Sequence, residues 1–179
     1  IKETLREAPR DPYLHYLLGI ARMKCGRFFL AKRALEKADQ LLPNHAENLR
    51  SLGWVKVMLG ELEEGRGDLR KAISLDLLNP FSYLDLAMSH FNYLEFKEGF
   101  EWLERAKALD PKNPYVLRNY RIAREMEKET SRYPKDRLEK TRKEKLEPGE
   151  QQKSQLYILE RYHQGKVLTG DDKNEIREE

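Results

Sequence analysis

Four histidines (His15, His45, His90 and His163) and one cysteine (Cys25) are the side chains of this sequence best suited to nucleophilic, general-base or metal chemistry. Each such chemistry needs a partner at a fixed spacing. A helical metal site needs two imidazoles four residues apart, and no two of these histidines stand so. A reactive thiol needs a base beside it, and Cys25 adjoins a glycine turn that supplies none. One cysteine also rules out an internal disulfide and any cysteine-based zinc site. Carboxylates are abundant but fall at outward helical places. No glycine-rich phosphate loop, nucleophile elbow or metal motif occurs. The expectation is a protein that is not an enzyme and needs neither cofactor nor metal. Such a chain acts through its surface, so the elements that build the surface come next.

Of 179 residues, 36% are charged and 39% apolar, a mixture typical of amphipathic helices. The net charge of +3 is too small to imply nucleic acid or an anionic membrane by itself. No apolar run approaches the roughly 18 residues that cross a bilayer, so no membrane partner is expected. A single cysteine needs no oxidising compartment, and the cytoplasm is the favoured setting. The chain opens inside one helix-like stretch (IKETLREA) and closes inside another (DDKNEIREE), which reads as a fragment of a longer protein.

Sliding the chain by 34 residues aligns three blocks without a gap, 12–45, 46–79 and 80–113. Their seventh and eighth places hold Leu18-Gly19, Leu52-Gly53 and Leu86-Ala87. Small residues take the twentieth (Ala31, Gly65, Gly99) and the twenty-seventh (Ala38, Ala72, Ala106). Leu35, Leu69 and Leu103 share the twenty-fourth place; Pro43, Leu77 and Pro111 come near the end. Apolar places recur at three and four, in two runs per block parted by KCGRF, MLGEL or NYLEF, so each block is a predicted helical hairpin. The small places predict close backbone approach. Gly65 is expected there for that reason, while Gly67, in the same helix, has no account in the sequence.

The pattern resembles the tetratricopeptide repeat family over about 102 residues in three units. Departures fall at the fourth place (His15, Leu49, then Tyr83), the eleventh (Arg22, Lys56, His90) and the closing Leu77. The frame continues at both ends. Residues 1–11, through Ile1, Thr4, Leu5 and Pro9, fit the close of a preceding helix or repeat. Residues 114–132, through Leu117, Tyr120 and Ala123, fit a cap helix that completes a solenoid over 12–132. The resemblance implies an all-α, right-handed α-solenoid of helical hairpins, seven helices with an extra turn or two in front.

It further implies that the first helix of each unit lines a concave groove for a protein or peptide. The groove places expected to bind are Tyr13, Tyr16, Ile20, Met23, Arg50, Trp54, Met58, Phe81, Leu84, Met88, Phe91 and Tyr115. An apolar, aromatic set of this kind suits an amphipathic helix. The dicarboxylate clamp by which the family grips acidic chaperone tails would fall on Tyr16, Ile20, Ser51, Phe81 and Asp85. One unit later it falls on Arg50, Trp54, Asp85, Tyr115 and Asn119. Only Arg50 has the required chemistry, which argues against such a tail.

Residues 133–150 read as a charged helical connector. Its basic strip at 135–145 offers a second reading, nucleic-acid association, against which the interleaved acids and missing aromatics argue. Residues 151–179 read as a C-terminal helical extension. Leu156, Ile158, Leu159 and Tyr162 give its helix an apolar stripe that is expected to dock on a solenoid surface, its own or a neighbour's. The second case makes a homo-oligomer. A regulatory module of a longer multidomain protein is the third reading.

Overall fold

The computed structural model describes residues 8–133, 137 and 139–141. Seven α-helices follow one another. They are α1 (Pro12–Lys24), α2 (Phe28–Leu41), α3 (Ala46–Met58), α4 (Leu62–Leu75), α5 (Pro80–Phe91), α6 (Phe96–Leu109) and α7 (Pro114–Thr130). No strand occurs among the described residues.

The helix boundaries have local causes. The last place of each 34-residue frame caps the helix that follows. Asp11 Oδ1 accepts from the amides of Tyr13 (2.8 Å) and Leu14 (3.1 Å). Asn79 Oδ1 accepts from Phe81 (3.0 Å) and Asn113 Oδ1 from Tyr115 (3.0 Å), while His45 Nδ1 accepts from Asn48 (3.3 Å). Proline stands directly after three of these caps, where its missing N–H costs nothing. Each cap stabilises its helix by about 1 kcal/mol. Within a hairpin the chain reverses through a residue of positive φ at the fifteenth place: Gly26 (68°), Gly60 (82°) and Leu94 (59°). Glycine takes that conformation freely, and Leu94 does not.

Helices pair α1 with α2, α3 with α4 and α5 with α6, and each hairpin packs on the next through α2–α3, α4–α5 and α6–α7. The first helices of successive units (α1, α3, α5, α7) also touch one another, whereas the second helices make no comparable contact among the described residues. This is an α-solenoid with the first helices on its crowded side. Small residues permit the approach. A β-carbon on Gly53 would lie 2.7 Å from the Gly65 carbonyl and 2.9 Å from Leu69, and one on Gly65 would lie 2.6 Å from the Gly53 carbonyl. Gly67, by contrast, faces open space. No packing demand holds it there.

The basic residues at the eleventh place, departures from the family pattern, tie each hairpin together. Arg22 donates to the Leu30 carbonyl at 3.0 Å, Lys56 reaches Asp68 at 2.6 Å and His90 Nδ1 meets Glu95 at 2.7 Å. Successive units are tied as well. A base at the twenty-first place of one unit grips a glutamate at the sixteenth of the next, Lys32 to Glu61 and Arg66 to Glu95. The third unit has Phe100 at the twenty-first place instead, stacked edge-on to Tyr120 of α7 at 5.7 Å.

Candidate protein-binding face

On the first-helix side, the aromatic second places Tyr13, Phe81 and Tyr115 project outward, while the third places Asn48, Ser82 and Val116 of such first turns are buried. Tyr13 is 63% exposed, Tyr115 60% and Phe81 36%. These rings are not isolated. Tyr13 lies 6.2 Å from Tyr16, and Tyr16 6.3 Å from His45, at one end of the face. At the other, Phe81 meets Tyr115 edge-on at 6.1 Å. Such pairs add about 0.5–1.5 kcal/mol beyond their burial and hold the rings in place before anything binds.

Between the aromatic ends lies a charged cluster. Arg50 on α3 donates to Glu47 (2.8 Å) on its own helix and to Asp85 (2.8 Å) on α5, and its guanidinium lies 6.0 Å from the Phe81 ring. Glu47 also accepts from Asn79 Nδ2 at 2.7 Å. Burial works against charge on Arg50, but Asp85 and Glu47 outweigh it and raise its pKa, so the guanidinium stays cationic. Burial likewise pushes Glu47 up, while the hydrogen bond and charge of Arg50 and the Asn79 amide bring it below the ordinary carboxylate value. The arrangement chemically satisfies itself. Each of the three Arg50 nitrogens donates inside the chain, Nε and one terminal nitrogen to Glu47 and the other to Asp85, so its charge is already answered by two carboxylates.

The remaining groove residues divide by burial. Tyr16, Ile20, Met23 and Trp54 are partly exposed. Tyr16 and Met23 pack on the cluster of Ala31, Leu35, Leu52 and Val55, and Trp54 packs on that of Leu84, Ala87, Met88 and Phe91. Met58, Leu84, Met88 and Phe91 are buried, which corrects their expected place in the groove. Phe91 shows why. Its ring fills the space that Gly99 leaves on α6, and it packs against Phe100 (5.1 Å) and Phe96 (6.1 Å). The place in the repeat does not decide this alone, since Ile20 and Met23, at the places of Met88 and Phe91, stay partly exposed in the first unit.

Sequence reasoning missed the frame's last place, whose Asp, His and Asn types are a cap signal, and the pairing of Arg50 by Glu47 and Asp85. The first could have been read from the alignment; the second joins residues 35 apart. The docking residues Leu156, Ile158, Leu159 and Tyr162 lie outside the described residues, as does most of the 135–145 strip. Among the described residues no group of His, Cys, Asp or Glu could hold a metal ion, and no helix is long and apolar enough to cross a membrane.

No protein-family model matches the chain. Over 100 residues it is 25% identical to Tetratricopeptide repeat protein 6 of Homo sapiens, a match covering 56% of this chain. The chain spans only 19% of that relative's length. A thermophilic TPR protein in Thermus thermophilus aligns with a TM-score of 0.63 at 21% identity, covering 68% of each chain. The first TPR of Spaghetti, solved bound to an HSP90 peptide, aligns with a TM-score of 0.57 at 17% identity, covering 64% of this chain and 90% of that one.

Proposed function

We propose, from the premise that this chain is a tetratricopeptide-repeat protein, that it is a non-enzymatic scaffold binding an apolar segment of a partner protein on its first-helix face. The residues assigned to contact are Tyr13, Tyr16, Trp54, Phe81 and Tyr115, with Arg50 as a self-neutralised centre. One observation carries the reading: Tyr13 and Tyr115, each more than half exposed, and Phe81, 36% exposed and 6.0 Å from the Arg50 guanidinium, share a face with a cation already paired to Glu47 and Asp85. Exposed rings held in pairs bind apolar side chains at low entropic cost, and an internally paired centre offers nothing to an acidic tail. The ligand differs in chemistry from the HSP90 peptide SRMEEVD that the Spaghetti domain holds.

The test is a panning of the whole chain against a random peptide library, with SRMEEVD as a comparator. Apolar and aromatic peptides are expected, with a joint Phe81→Ala/Tyr115→Ala change weakening them at least about tenfold, the scale of one buried aromatic contact. Selection of acidic peptides, or unchanged affinity in the double variant, ends the reading. The segment 151–164 is proposed as an occupant of a solenoid surface, in its own chain or in a neighbouring copy. Deleting residues 148–179 is then expected to raise hydrophobic-dye binding or lower the oligomeric mass. If both are unchanged, that part fails.

A further inference from the structure

The junction between the first and second units differs in charge from the other two. There the asparagine that closes the frame is answered by a carboxylate. Asn79 Nδ2 donates to Glu47 at 2.7 Å, and Asn113 Nδ2 donates to Asp110 at 2.9 Å. In the first unit the same places read differently. Tyr13 stands where the second unit has Glu47, and Tyr16 where it has Arg50. Leu42 stands where the later units have Asp76 and Asp110, and His45 where they have Asn79 and Asn113.

The result is a slot of about 60 Å³ lined by Tyr13, Tyr16, Ala38, Leu42, His45 and Asn48, with no carboxylate, lysine or arginine in its wall. Its polar groups are taken or shut away. Asn48 is 2% exposed, its Nδ2 donates to the Leu35 carbonyl at 3.1 Å, and its Oδ1 is buried. His45 Nδ1 accepts from the Asn48 amide. Leu42, by contrast, is 48% exposed. The backbone does not ask for leucine there. Leu42 has φ −137° and ψ 85°, against −141° and 87° at Asp76 and −140° and 85° at Asp110. The same bend carries a carboxylate in two units and an exposed apolar side chain in the one unit where it walls a slot.

We propose that this slot takes one aliphatic side chain (leucine, isoleucine or valine) from the segment bound on the first-helix face, with Leu42 and Tyr16 as its walls. The inference rests on that reading of the face and adds which side chain fits at one point of it. Charge selects the class. A guest carboxylate would find no cation in the wall and a guest ammonium no carboxylate, so either would lose its water without return. Size narrows it further. The slot has less than half of the roughly 150 Å³ that takes up a benzene ring, which leaves room for a branched aliphatic tip and none for an indole. The Tyr13, Tyr16 and His45 rings, already side by side, lose little freedom when the tip enters.

The test is methyl NMR on the whole chain, with N-acetyl-leucinamide and N-acetyl-tryptophanamide as probes. The leucine probe is expected to shift the Ala38 and Leu42 methyl signals, and the tryptophan probe to leave them in place. No shift with the leucine probe, or equal shifts with both, overturns the proposal. Leu42→Asp copies the later units and is expected to keep Tm. It is expected to weaken the leucine probe at least about tenfold, the scale of one apolar side-chain contact, and unchanged binding overturns the slot. The two probes on the unaltered chain decide the matter even if that variant does not fold. Should deletion of residues 148–179 shift the same methyl signals with no probe present, this chain's own segment fills the slot and the partner assignment falls. Peptide panning separates the two readings. Peptides that lose affinity in Phe81→Ala/Tyr115→Ala but keep it in Leu42→Asp preserve the face and strike the slot.

Discussion

Between the first and second units, Lys32 reaches Glu61 at 2.5 Å from a side chain 21% exposed; between the second and third, Arg66 reaches Glu95 at 2.7 Å from a side chain 7% exposed. The repeat places are identical and the surroundings are not. Lys32 also has Glu36 on its own helix at 3.8 Å, and its partner Glu61 is 38% exposed against 12% for Glu95. Arg66 donates to the Ser89 carbonyl (3.0 Å), lies 5.8 Å from the Tyr93 ring and shares Glu95 Oε2 with His90. A partly exposed pair such as Lys32–Glu61 is worth about 1 kcal/mol, while a buried guanidinium stripped of its carboxylate costs about 3–5 kcal/mol. One register thus yields a soft junction and a stiff one, and burial decides which.

The largest test of that contrast is Glu95→Ala. It leaves the buried Arg66 with only the exposed Glu63, 3.9 Å away, as a carboxylate partner, and chemical denaturation is expected to show a loss of about 3 kcal/mol. A loss below about 1 kcal/mol would make the two junctions equivalent. The turn beside Glu95 supplies the next. Leu94 holds the left-handed conformation that Gly60 holds at the softer junction, so Leu94→Gly is expected to stabilise by up to about 1 kcal/mol. Destabilisation would mean that its side-chain packing outweighs the backbone strain.

A pH titration sharpens the contrast further. His90 has its pKa lowered, first by burial and then by the charge of Arg66, against the opposing pull of Glu95 and Glu98. Folded His90 thus binds a proton less readily than unfolded His90. Its contribution is intact above the unfolded value of 6.5 and is lost as pH falls through the lower folded value. The loss is at most about 1.4 kcal/mol per pH unit, and His90→Gln is expected to flatten the profile in this window. A profile that is already flat in the unaltered chain would contradict it. Smallest of all, Lys32→Met is expected to change stability by less than about 1 kcal/mol. Salt up to 1 M is expected to remove most of that difference.

Much of the fold was legible because the repeat writes each structural demand three times. The small residues at the twentieth and twenty-seventh places and the leucine at the twenty-fourth recur at one stride, and a recurring demand stands out from local noise. The candidate face was legible only at its rim. Tyr13, Phe81 and Tyr115, just after their caps, are exposed, whereas Met58, Leu84, Met88 and Phe91 are core. A period of 3.6 gives the face of a helix, but not which neighbour closes over it. Gly65 and Gly67 look alike in the sequence, and only packing separates them. One abuts the Gly53 carbonyl, and the other abuts nothing.

What the sequence determined by itself is therefore what local chemistry can encode: helix starts and stops and the 34-residue stride. Only the tertiary structure decided which of two like charges is buried, which aromatic rings remain in water, and that Arg50 is answered by Glu47 and Asp85 from two helices. The reason is distance. Propensity and capping act within a few residues, while burial and electrostatics depend on what stacking brings alongside from a unit away.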